Sequence, residues 1–439
     1  MAVGKKKYTG PVLVAFAALL LPLLVSLKST EKPNLTGLVM SDDKPVWTLD
    51  SWLNGDYQKL REDYNNDHWG WKEWMVRANN QFYYQAFNQI RVNKFVIGKE
   101  DYIFSENYIH AALGDDLVEE SKVAELMRKA KVIQDTLKKK GIDFFCVLAP
   151  GKGSFCIEKV EDKYLHPIKR TNYDNFVTHC LKNKVNTLDL KRYFDLMKPT
   201  TPYPLFPVFG HHWSFYGECL AVDTIIGYIE NLHGCDMPGF NWTSIEVSDT
   251  ARSRDADVLK SMNLLHNPKQ KVKLAYPDVE IENDTTKNKT KVLTIADSYW
   301  YGPVYMGVGN YCFAGGAFWY YYNKVIPSPR QGEKVEVWEL DLKEQIESNQ
   351  VIMVLYSDGN LPGFGNTFIQ DAYELYTNPN QYKINQARRV AIQTYAKQIR
   401  EAPLLLKKVT RFSEDHAITL DSAITYEASR MAGYIKSEK

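Results

Sequence analysis

The sequence predicts an α/β fold with a mostly parallel sheet flanked by helices, an N-terminal transmembrane helix and a helical C-terminal tail. Amphipathic helical segments alternate with short apolar runs, such as IDFFCVLAP and QVIMVLYS, which have the length of buried strands. A long apolar run lies within the first 28 residues. Residues 381–439 lack strand signals and include QARRVAIQTYAKQIREA, which predicts a basic helix. These observations together indicate the fold class.

The apolar run PVLVAFAALLLPLLVSL covers residues 11–27 and follows three lysines at positions 5–7. It would form roughly 25 Å of helix, near the lower limit for a bilayer span. The lysines predict a cytoplasmic N-terminus over 1–10, an anchor over 11–28 in the cytoplasmic membrane and an extracytoplasmic remainder. A cleaved signal peptide is the alternative, but neither a small-residue cleavage site nor a lipoprotein cysteine follows the run.

After the anchor, residues 29–94 predict a polar tether and amphipathic helices, because 49–88 alternates aromatic and charged residues at helical spacing. The segment KFVIGKEDYIFSENYI predicts a hairpin around a charged turn. The net charge of +1 gives no reason to expect a nucleic-acid partner. The six cysteines lack C-x-x-C spacing, which argues against a zinc ribbon or redox motif and leaves any disulfide pairing open.

Residues 95–380 predict a single α/β domain. The helix VEESKVAELMRKAKVIQDTLKKKG, closed by Gly141, leads into the strand IDFFCVLAP. The helix NFVTHCLKNK leads to the strand VNTLDL, and the GHHW loop leads to the helix SFYGECLAVDTIIGYIENLHG. The apolar runs KVLTIADS and QVIMVLYS follow later in the chain. Parallel sheets of this kind carry their chemistry at the carboxyl ends of the strands.

The strand KVLTIADS ends in Asp297 and Ser298, the place where a parallel sheet can present a nucleophile. A serine hydroxyl needs a general base, and His212 is the candidate because imidazole exchanges protons near neutral pH. The alternatives without catalysis are a helix cap at Asp297-Ser298 and a packed loop at His212. A metal site is not expected, since adjacent histidines in an extended chain point to opposite sides and no third ligand is in suitable spacing.

The motif IADSYW resembles the serine-bearing block of SGNH hydrolases. The set GKEDYIFSENY, VLAPGKGSF, GHHWS and IADSYW resembles the SGNH-hydrolase-like domain of alginate O-acetyltransferases and DHHW proteins over about 50–375. The resemblance implies an SGNH-like fold and acetylation of an exported polysaccharide through an acyl-serine at the outer face of the inner membrane. By position, it assigns Ser298 as nucleophile and His212 as general base.

The family carries an aspartate two residues before that histidine, where this chain has Gly210. Such an aspartate holds the imidazole in its productive tautomer. Three explanations stay open at this point. Either His211, a backbone carbonyl or another carboxylate orients His212, or the enzyme works as a dyad, or the site is weakened or inactive. Asp297, beside the serine, is a candidate substitute for the missing acid.

An acyl transfer also needs donors for an oxyanion. The candidates are the Ser298 backbone N–H, the Gly315 and Gly316 amides and the Asn323 side chain, although 313–323 also fits a turn followed by an aromatic strand. The glycine-rich loop 357–368 is expected to shape the acceptor groove. Aromatic side chains beside these segments are candidates for stacking on sugar rings or for packing: Trp213, Tyr299, Trp300, Tyr301, Trp319 and Tyr321.

The expected function is that of a membrane-anchored extracytoplasmic O-acetyltransferase or acetylesterase acting on an exported or cell-envelope polysaccharide. No bound cofactor is expected; the resemblance implies an activated acetyl donor, supplied across the membrane by a membrane-bound O-acyltransferase partner. A non-catalytic scaffold or glycan-binding factor is the competing class, favoured by Gly210. A periplasmic lipase or a peptidoglycan deacetylase would use the same serine chemistry.

Overall fold

The structure is a computed structural model that describes residues 10–14, 16, 34–37, 44–68, 70–282, 286–416 and 418–435. The anchor predicted over 11–28 lies mostly outside these residues. Within the described part of the chain, no helix has the length and apolar character needed to span a membrane.

The described residues form strands in three sheets. In chain order the strands are β1 (Phe95–Ile97), β2 (Ile103–Ser105), β3 (Asp143–Ala149), β4 (Thr187–Asp189), β5 (Phe240–Ser248), β6 (Leu274–Ile281), β7 (Val292–Ala296), β8 (Phe318–Tyr320), β9 (Lys324–Ile326) and β10 (Val351–Ser357).

The helices lie before, between and after these strands. The α-helices are Leu49–Leu53, Asp56–His68, Lys72–Phe87, Glu106–Leu113, Glu120–Lys138, Lys152–Phe155, Asn172–Asn183, Leu190–Met197, Phe215–His233, Asp257–Ser261, Tyr301–Tyr305, Val308–Tyr311, Leu342–Glu347, Phe368–Thr377, Pro379–Glu401, Pro403–Asp415 and Leu420–Met431. Short 3-10 helices span Lys99–Asp101, Ile157–Lys159, Asp162–Tyr164, Ser253–Ala256, Ser298–Trp300, Val337–Glu339 and Asp358–Gly363.

The central sheet has the strand order β4–β3–β10–β7–β8–β9. The first five strands run parallel, as the sequence predicts, while β9 pairs antiparallel with β8 and makes the sheet mixed. In register, Val351 of β10 lies between Asp143 of β3 and Val292 of β7. The carboxyl ends of β3, β7 and β10 therefore meet at one edge of the sheet.

Helices cover both faces of this sheet, which explains why its central strands are continuous apolar runs. All residues of β3, β7 and β10 are buried. Alternate side chains of β3 enter different cores: Phe145 and Val147 pack on one face, and Phe144 and Cys146 on the other. A strand buried on both faces needs no polar alternation. All six cysteines are unpaired thiols.

The two flanking hairpins differ in how visible they are in the sequence. The predicted hairpin is confirmed as β1 and β2, with Val96 opposite Phe104. The hairpin of β5 and β6 was not predicted, because polar residues interrupt its apolar pattern and a register shift follows Trp242. The connection between β5 and β6, residues 249–273, reaches back to the GHHW loop and contributes to the candidate site.

The predicted tail is confirmed as helical, with a small core of its own. That core contains Ala396, Ile399, Val409, Ala423, Ile424 and Ala428. Arg389 of the first tail helix donates to Asp371 of helix Phe368–Thr377 at 2.6 Å, which ties the tail to the α/β domain. On the N-terminal side, Arg77 and Asn80 donate to the carbonyls of Leu264 and Met262 at 3.0 and 2.8 Å.

Candidate active site

Ser298 lies at the carboxyl end of β7, in the first position of the 3-10 helix Ser298–Trp300. Its side chain is half-buried, whereas the residues on either side of it, Asp297 and Tyr299, are fully buried. The chain thus turns sharply after the strand and presents one hydroxyl at the edge of the sheet. This position is the one that the strand pattern predicts for a nucleophile.

The His212 ring lies between Ser298 and a carboxylate. Its Nε2 is 2.8 Å from Ser298 Oγ, and its Nδ1 is 3.0 Å from Asp257 Oδ2. Both distances are within hydrogen-bond range for a serine, its base and the acid that orients the base. The sequence predicted the first pair across 86 residues, and the structure brings the two side chains together.

Asp257 is the acid that the sequence interpretation missed. It begins the short helix Asp257–Ser261 in the connection between β5 and β6. Its Oδ1 accepts the His211 backbone N–H at 3.0 Å, so one carboxylate holds both the loop and the His212 ring. Burial alone would raise the pKa of Asp257, but the hydrogen bond and the charge of His212, followed by His211, outweigh burial and lower it. Asp257 is therefore held as an anion.

The β5–β6 connection passes so close to Gly210 that no side chain fits at this position. A Cβ atom at Gly210 would lie 2.8 Å from the Arg254 carbonyl oxygen, 2.9 Å from that of Asp255 and 2.7 Å from Pro207 Cγ. Real Cβ atoms essentially never approach other atoms so closely. The backbone of the β5–β6 connection therefore occupies the space that a side chain at position 210 would need. Asp257 lies three residues after Arg254 in the same connection. Of the three explanations left open by the sequence, this geometry supports another carboxylate.

Asp297 does not orient His212, contrary to its candidacy as the substitute acid. Its carboxylate accepts the Ser357 N–H at 2.8 Å, the Ser357 hydroxyl at 2.6 Å and the Asn360 amide at 2.9 Å. It also caps the 3-10 helix by accepting the Tyr299 N–H at 3.0 Å. The adjacent position in sequence turns its side chain away from Ser298, into a buried network at the end of β10.

Lys152, in the motif VLAPGKGSF, supports the histidine loop from below. Its buried ammonium donates to the carbonyls of Val208 and Gly210 at 2.9 and 2.8 Å. Burial lowers the pKa of Lys152 to about 7, and the charges of Cys156, Asp257 and Asp255 only partly offset this effect. Lys152 therefore fixes the backbone segment that directly precedes His211 and His212.

His211 has a different environment from His212. Its ring packs edge-on against Tyr108 at 4.6 Å and Phe95 at 5.4 Å between ring centroids. Burial, followed by the charge of neighbouring His212, lowers the pKa of His211 to about 3. His211 is thus a neutral packing residue whose backbone N–H, not its ring, donates to Asp257. His211 thus supports the neighbouring His212 through its backbone N–H, which holds the loop on Asp257, and not through its ring.

The other side of Ser298 offers hydrogen-bond donors. The Ser298 N–H begins a 3-10 helix, where the first N–H groups have no acceptor within the helix. Tyr321, just beyond β8, interacts through its hydroxyl with Ser298 and Asn360. Burial raises the pKa of Tyr321, so its phenol stays protonated and can donate. Asn360, from the glycine-rich loop after β10, was not singled out in the sequence, although the loop itself was.

The predicted glycine donors lie at the wrong end of the sheet. The Gly315 carbonyl accepts the Val292 N–H at 3.5 Å, and a Cβ at Gly316 would clash with the Val292 carbonyl. Val292 begins β7, whereas Ser298 follows its other end, so neither amide can reach an oxyanion at Ser298. Asn323 is exposed in the turn between β8 and β9, away from Ser298.

Most aromatic candidates for sugar stacking are core residues, which corrects that prediction. Trp213, Tyr299, Trp300 and Trp319 are 4% exposed or less. Tyr299 packs against both His212 and Trp213, with ring centroids 5.0 and 4.9 Å apart, and so supports the His212 ring from the protein interior. Tyr301 and Tyr321 are half-buried and remain accessible in part. Among the residues that the structure describes, no group of three His, Cys, Asp or Glu is arranged for a metal ion.

Solved structures align with much of the chain at low identity. The O-acetyltransferase domain of Pseudomonas putida AlgJ is 16% identical, with 64% of this chain and 98% of that chain covered and a TM-score of 0.42. Pseudomonas aeruginosa AlgX is 13% identical, with 65% and 66% covered and a TM-score of 0.40. Bacillus cereus PatB1 with a sulfonyl adduct is 14% identical, with 62% and 99% covered and a TM-score of 0.41.

No curated protein matches the chain. A family model does, over residues 95–297, and it is described as the SGNH hydrolase-like domain of acetyltransferase AlgX. The matched residues include His212 and Asp257 and end directly before Ser298. The resemblance inferred from the four motifs is therefore confirmed, and residues 95–297 are similar to the SGNH hydrolase-like domain of acetyltransferase AlgX.

Proposed function

We propose that this protein is an O-acetyltransferase that modifies a polysaccharide through an acetyl-Ser298 intermediate. The observation that carries the proposal is the chain of contacts from Ser298 Oγ to His212 Nε2 at 2.8 Å and from His212 Nδ1 to Asp257 Oδ2 at 3.0 Å. The match to an acetyltransferase family supports the class of reaction. The non-catalytic alternative was favoured by Gly210, and Asp257 removes that reason.

In the first half of the reaction, Ser298 Oγ attacks the carbonyl carbon of the acetyl donor while His212 Nε2 takes its proton. The resulting imidazolium is stabilised by the Asp257 carboxylate on Nδ1. When the tetrahedral intermediate collapses, the bond to the leaving group breaks and His212 returns the proton to that group. Acetyl-Ser298 and a neutral His212 remain.

In the second half, a sugar hydroxyl takes the place of the leaving group. His212 Nε2 removes its proton, the sugar oxygen attacks the acetyl carbon, and the Ser298 ester bond breaks with the proton passing to Ser298 Oγ. Water in place of the sugar gives hydrolysis, so transfer requires that the bound acceptor exclude water from the ester. The difference between transferase and esterase thus lies in acceptor binding.

Both tetrahedral intermediates carry negative charge on the former carbonyl oxygen. The donors next to Ser298 are its own backbone N–H and the Tyr321 hydroxyl, with Asn360 beside Tyr321. Donors fixed in place before the reaction stabilise such an oxyanion without reorganisation. Since Asn360 already donates to Asp297 and Ser357 at 2.9 and 3.1 Å, its role is to position the phenol.

The setting is part of the proposal. The lysines at 5–7 and the apolar run 11–27 support a single-pass anchor with the catalytic domain outside the cytoplasm. Activated acetyl groups are made inside the cell, so an external enzyme needs a membrane-bound O-acyltransferase to deliver them. Extraction of the full chain from membranes by detergent, but not by alkaline carbonate, is the result expected for an integral anchor.

The catalytic proposal is tested by trapping the intermediate. The purified full chain is incubated with p-nitrophenyl acetate, and its peptides are examined for acetyl groups by mass spectrometry. We expect one acetyl group on Ser298, absent from Ser298→Ala and His212→Ala. Ser328→Ala, which removes a half-buried serine outside the site, is the control and should be acetylated as the wild type is. A folded wild-type chain without acetyl-Ser298 would refute the mechanism.

A further inference from the structure

A cavity of about 1110 Å³ lies beside the triad. Asp257, which is bonded to His212, and Gly302, four residues after Ser298, both line the cavity. Ser298 and His212 are not among the lining residues, and Asp257 is the residue that connects the cavity to the His212–Ser298 pair. Ligand sites usually measure about 300–1000 Å³. The space is therefore large enough for several linked sugar rings and too large for an acetyl group alone.

Carboxyl groups dominate the described wall of this cavity. The acidic lining residues are Glu218, Glu246, Asp255, Asp257 and Asp278. Asp278 is exposed and no described basic side chain pairs with it. Burial raises the pKa of Asp255 to about 7, so this group carries a partial charge at neutral pH.

The basic groups of the wall are fewer and largely neutralised. They are Arg252, Arg254 and Lys260. Arg252 pairs with Glu246, with Nη1 and Oε2 2.9 Å apart, and Arg254 pairs with buried Glu218. Lys260 is exposed and donates to the Ser253 carbonyl at 3.1 Å. Two of the three cations are thus bound to carboxylates already, and no cluster of free cations lines the described wall.

An exposed aromatic ring, that of Tyr305, lines the cavity. Tyr305 is 76% exposed, and its ring stacks on Tyr301 with centroids 6.2 Å apart and planes inclined by 23°. Both lie on the helix that directly follows Ser298. The Arg254 guanidinium lies 5.9 Å from the centre of the Tyr305 ring. An exposed ring next to a polar cavity can pack against the C–H face of a sugar while the cavity binds its hydroxyls.

We propose that this cavity binds the acceptor polysaccharide and selects a neutral glycan over a uronate polymer. The inference rests on the proposed function and specifies its substrate class. Ionised carboxylates accept hydrogen bonds from sugar hydroxyls, but they repel a second carboxylate, which would also lose hydration on entry. In the described wall both arginines are already paired with glutamates. A uronate would meet the remaining carboxyl groups, Asp278 among them, with Lys260 as the one lining cation that no described carboxylate neutralises. The acidic wall thus acts as a filter against anionic acceptors.

The test compares acceptors on the same acetylated enzyme. The full chain is loaded with p-nitrophenyl acetate and offered neutral hexasaccharides of glucose, mannose or xylose, or hexamers of mannuronate or galacturonate, and the acetylated products are measured by mass spectrometry. We expect at least one neutral acceptor to be used about tenfold better than either uronate, which corresponds to about 1.4 kcal/mol. Equal or better use of a uronate, or no transfer to any neutral acceptor while acetyl-Ser298 forms, would overturn the inference. Absence of acetyl-Ser298 would instead refute the proposed function.

Two variants test the wall directly without altering the triad. Asp278→Lys should raise transfer to uronates relative to neutral glycans about tenfold, whereas Asp415→Lys, the same charge change on an exposed tail helix, should leave the ratio unchanged. Tyr305→Ala should lower transfer about tenfold and leave formation of acetyl-Ser298 intact. Tyr311→Ala, which removes an exposed ring on the next helix, is its control. An unchanged acceptor ratio in Asp278→Lys would contradict the filter.

Discussion

Two strands of the central sheet end in similar residues that serve different purposes. β7 is followed by Asp297 and Ser298, and β10 ends in Ser357, which is followed by Asp358. Ser298 is half-buried and bonded to an imidazole, while Ser357 is fully buried between Asp297, at 2.6 Å, and the Tyr108 hydroxyl, also at 2.6 Å. Burial and hydrogen-bond partner, rather than residue type, separate a candidate nucleophile from a structural hydroxyl.

The comparison also shows how the two strand ends depend on each other. The Asp297 carboxylate, next to Ser298, accepts hydrogen bonds from Ser357 and Asn360 of the β10 loop. A buried carboxylate of this kind must be fully hydrogen-bonded, because an unpaired charge in the core is costly. The β10 end therefore fixes the turn from which Ser298 projects. The buried hydrogen bonds between Ser357 and Asp297 therefore help to hold Ser298 at the edge of the sheet.

The largest expected effect separates the two serines. Ser298→Ala should abolish acetyl transfer, with a loss on the order of 10⁶-fold as for other serine nucleophiles, and leave stability almost unchanged. Ser357→Ala should retain most activity but lower the free energy of unfolding by about 1–3 kcal/mol, because it leaves buried partners unpaired. Denaturant unfolding measures the stability of the two variants, and p-nitrophenyl acetate turnover measures their activity. Equal loss of activity in both folded variants would contradict the assignment.

The next largest effect concerns the acid. Asp257→Asn should lower turnover on the order of 10⁴-fold, since His212 would lose the partner that fixes its tautomer. Adding Gly210→Asp to this variant should not restore activity, because a Cβ at 210 has no space. Turnover by the single and double variants measures this, with Asp415→Asn, on an exposed tail helix, as the control. Recovery in the double variant would show that the site can still use the family position.

A smaller effect is expected on the oxyanion side. Tyr321→Phe removes the hydroxyl that interacts with Ser298 and should lower kcat about 10²–10³-fold with little change in KM. Tyr320→Phe is a matched control, because the neighbouring Tyr320 packs against Tyr301 rather than against the serine. Steady-state kinetics with p-nitrophenyl acetate give both constants. A change confined to KM would instead place Tyr321 in donor binding.

The smallest expected effect concerns the lysine below the histidine loop. Lys152→Met removes the donor to the Val208 and Gly210 carbonyls and should lower turnover up to about 100-fold, since a displaced His212 misses its geometry. Its pKa of about 7 lies below its ordinary 10.5, so the unfolded chain binds more protons between these values. The contribution of Lys152 to stability therefore rises with pH across this range.

That pH dependence is checked by denaturant unfolding of the wild type and Lys152→Met at pH 7, 8.5 and 10. The free energy of unfolding of the wild type should gain on that of the variant as pH increases. Lys191→Met, which removes a half-buried lysine paired with Asp195, is the comparison variant. A constant difference between wild type and Lys152→Met at all three values would show that the lysine is not held in this way.

Much of the fold was predictable because its signals are local. The strands β3, β7 and β10 are uninterrupted apolar runs, and the helix Phe215–His233 has both its Ser214 cap and its terminal Gly234 in the sequence. The hairpin of β5 and β6 had no such pattern, because one of its faces is largely exposed. The pairing of Ser298 with His212 followed from two strand-end loops and the family resemblance.

The candidate side chains and the strand end that carries Ser298 could be identified from local patterns, because periodicity and turn residues act over a few positions. The carboxylate that joins them could be identified only from the folded chain. Asp257 reaches His212 through the 249–273 connection, and the space for that approach exists because Gly210 has no side chain. The roles of Asp297, Tyr299 and Trp213 were decided in the same way. Burial and contact depend on residues distant in the chain, and no local pattern records them.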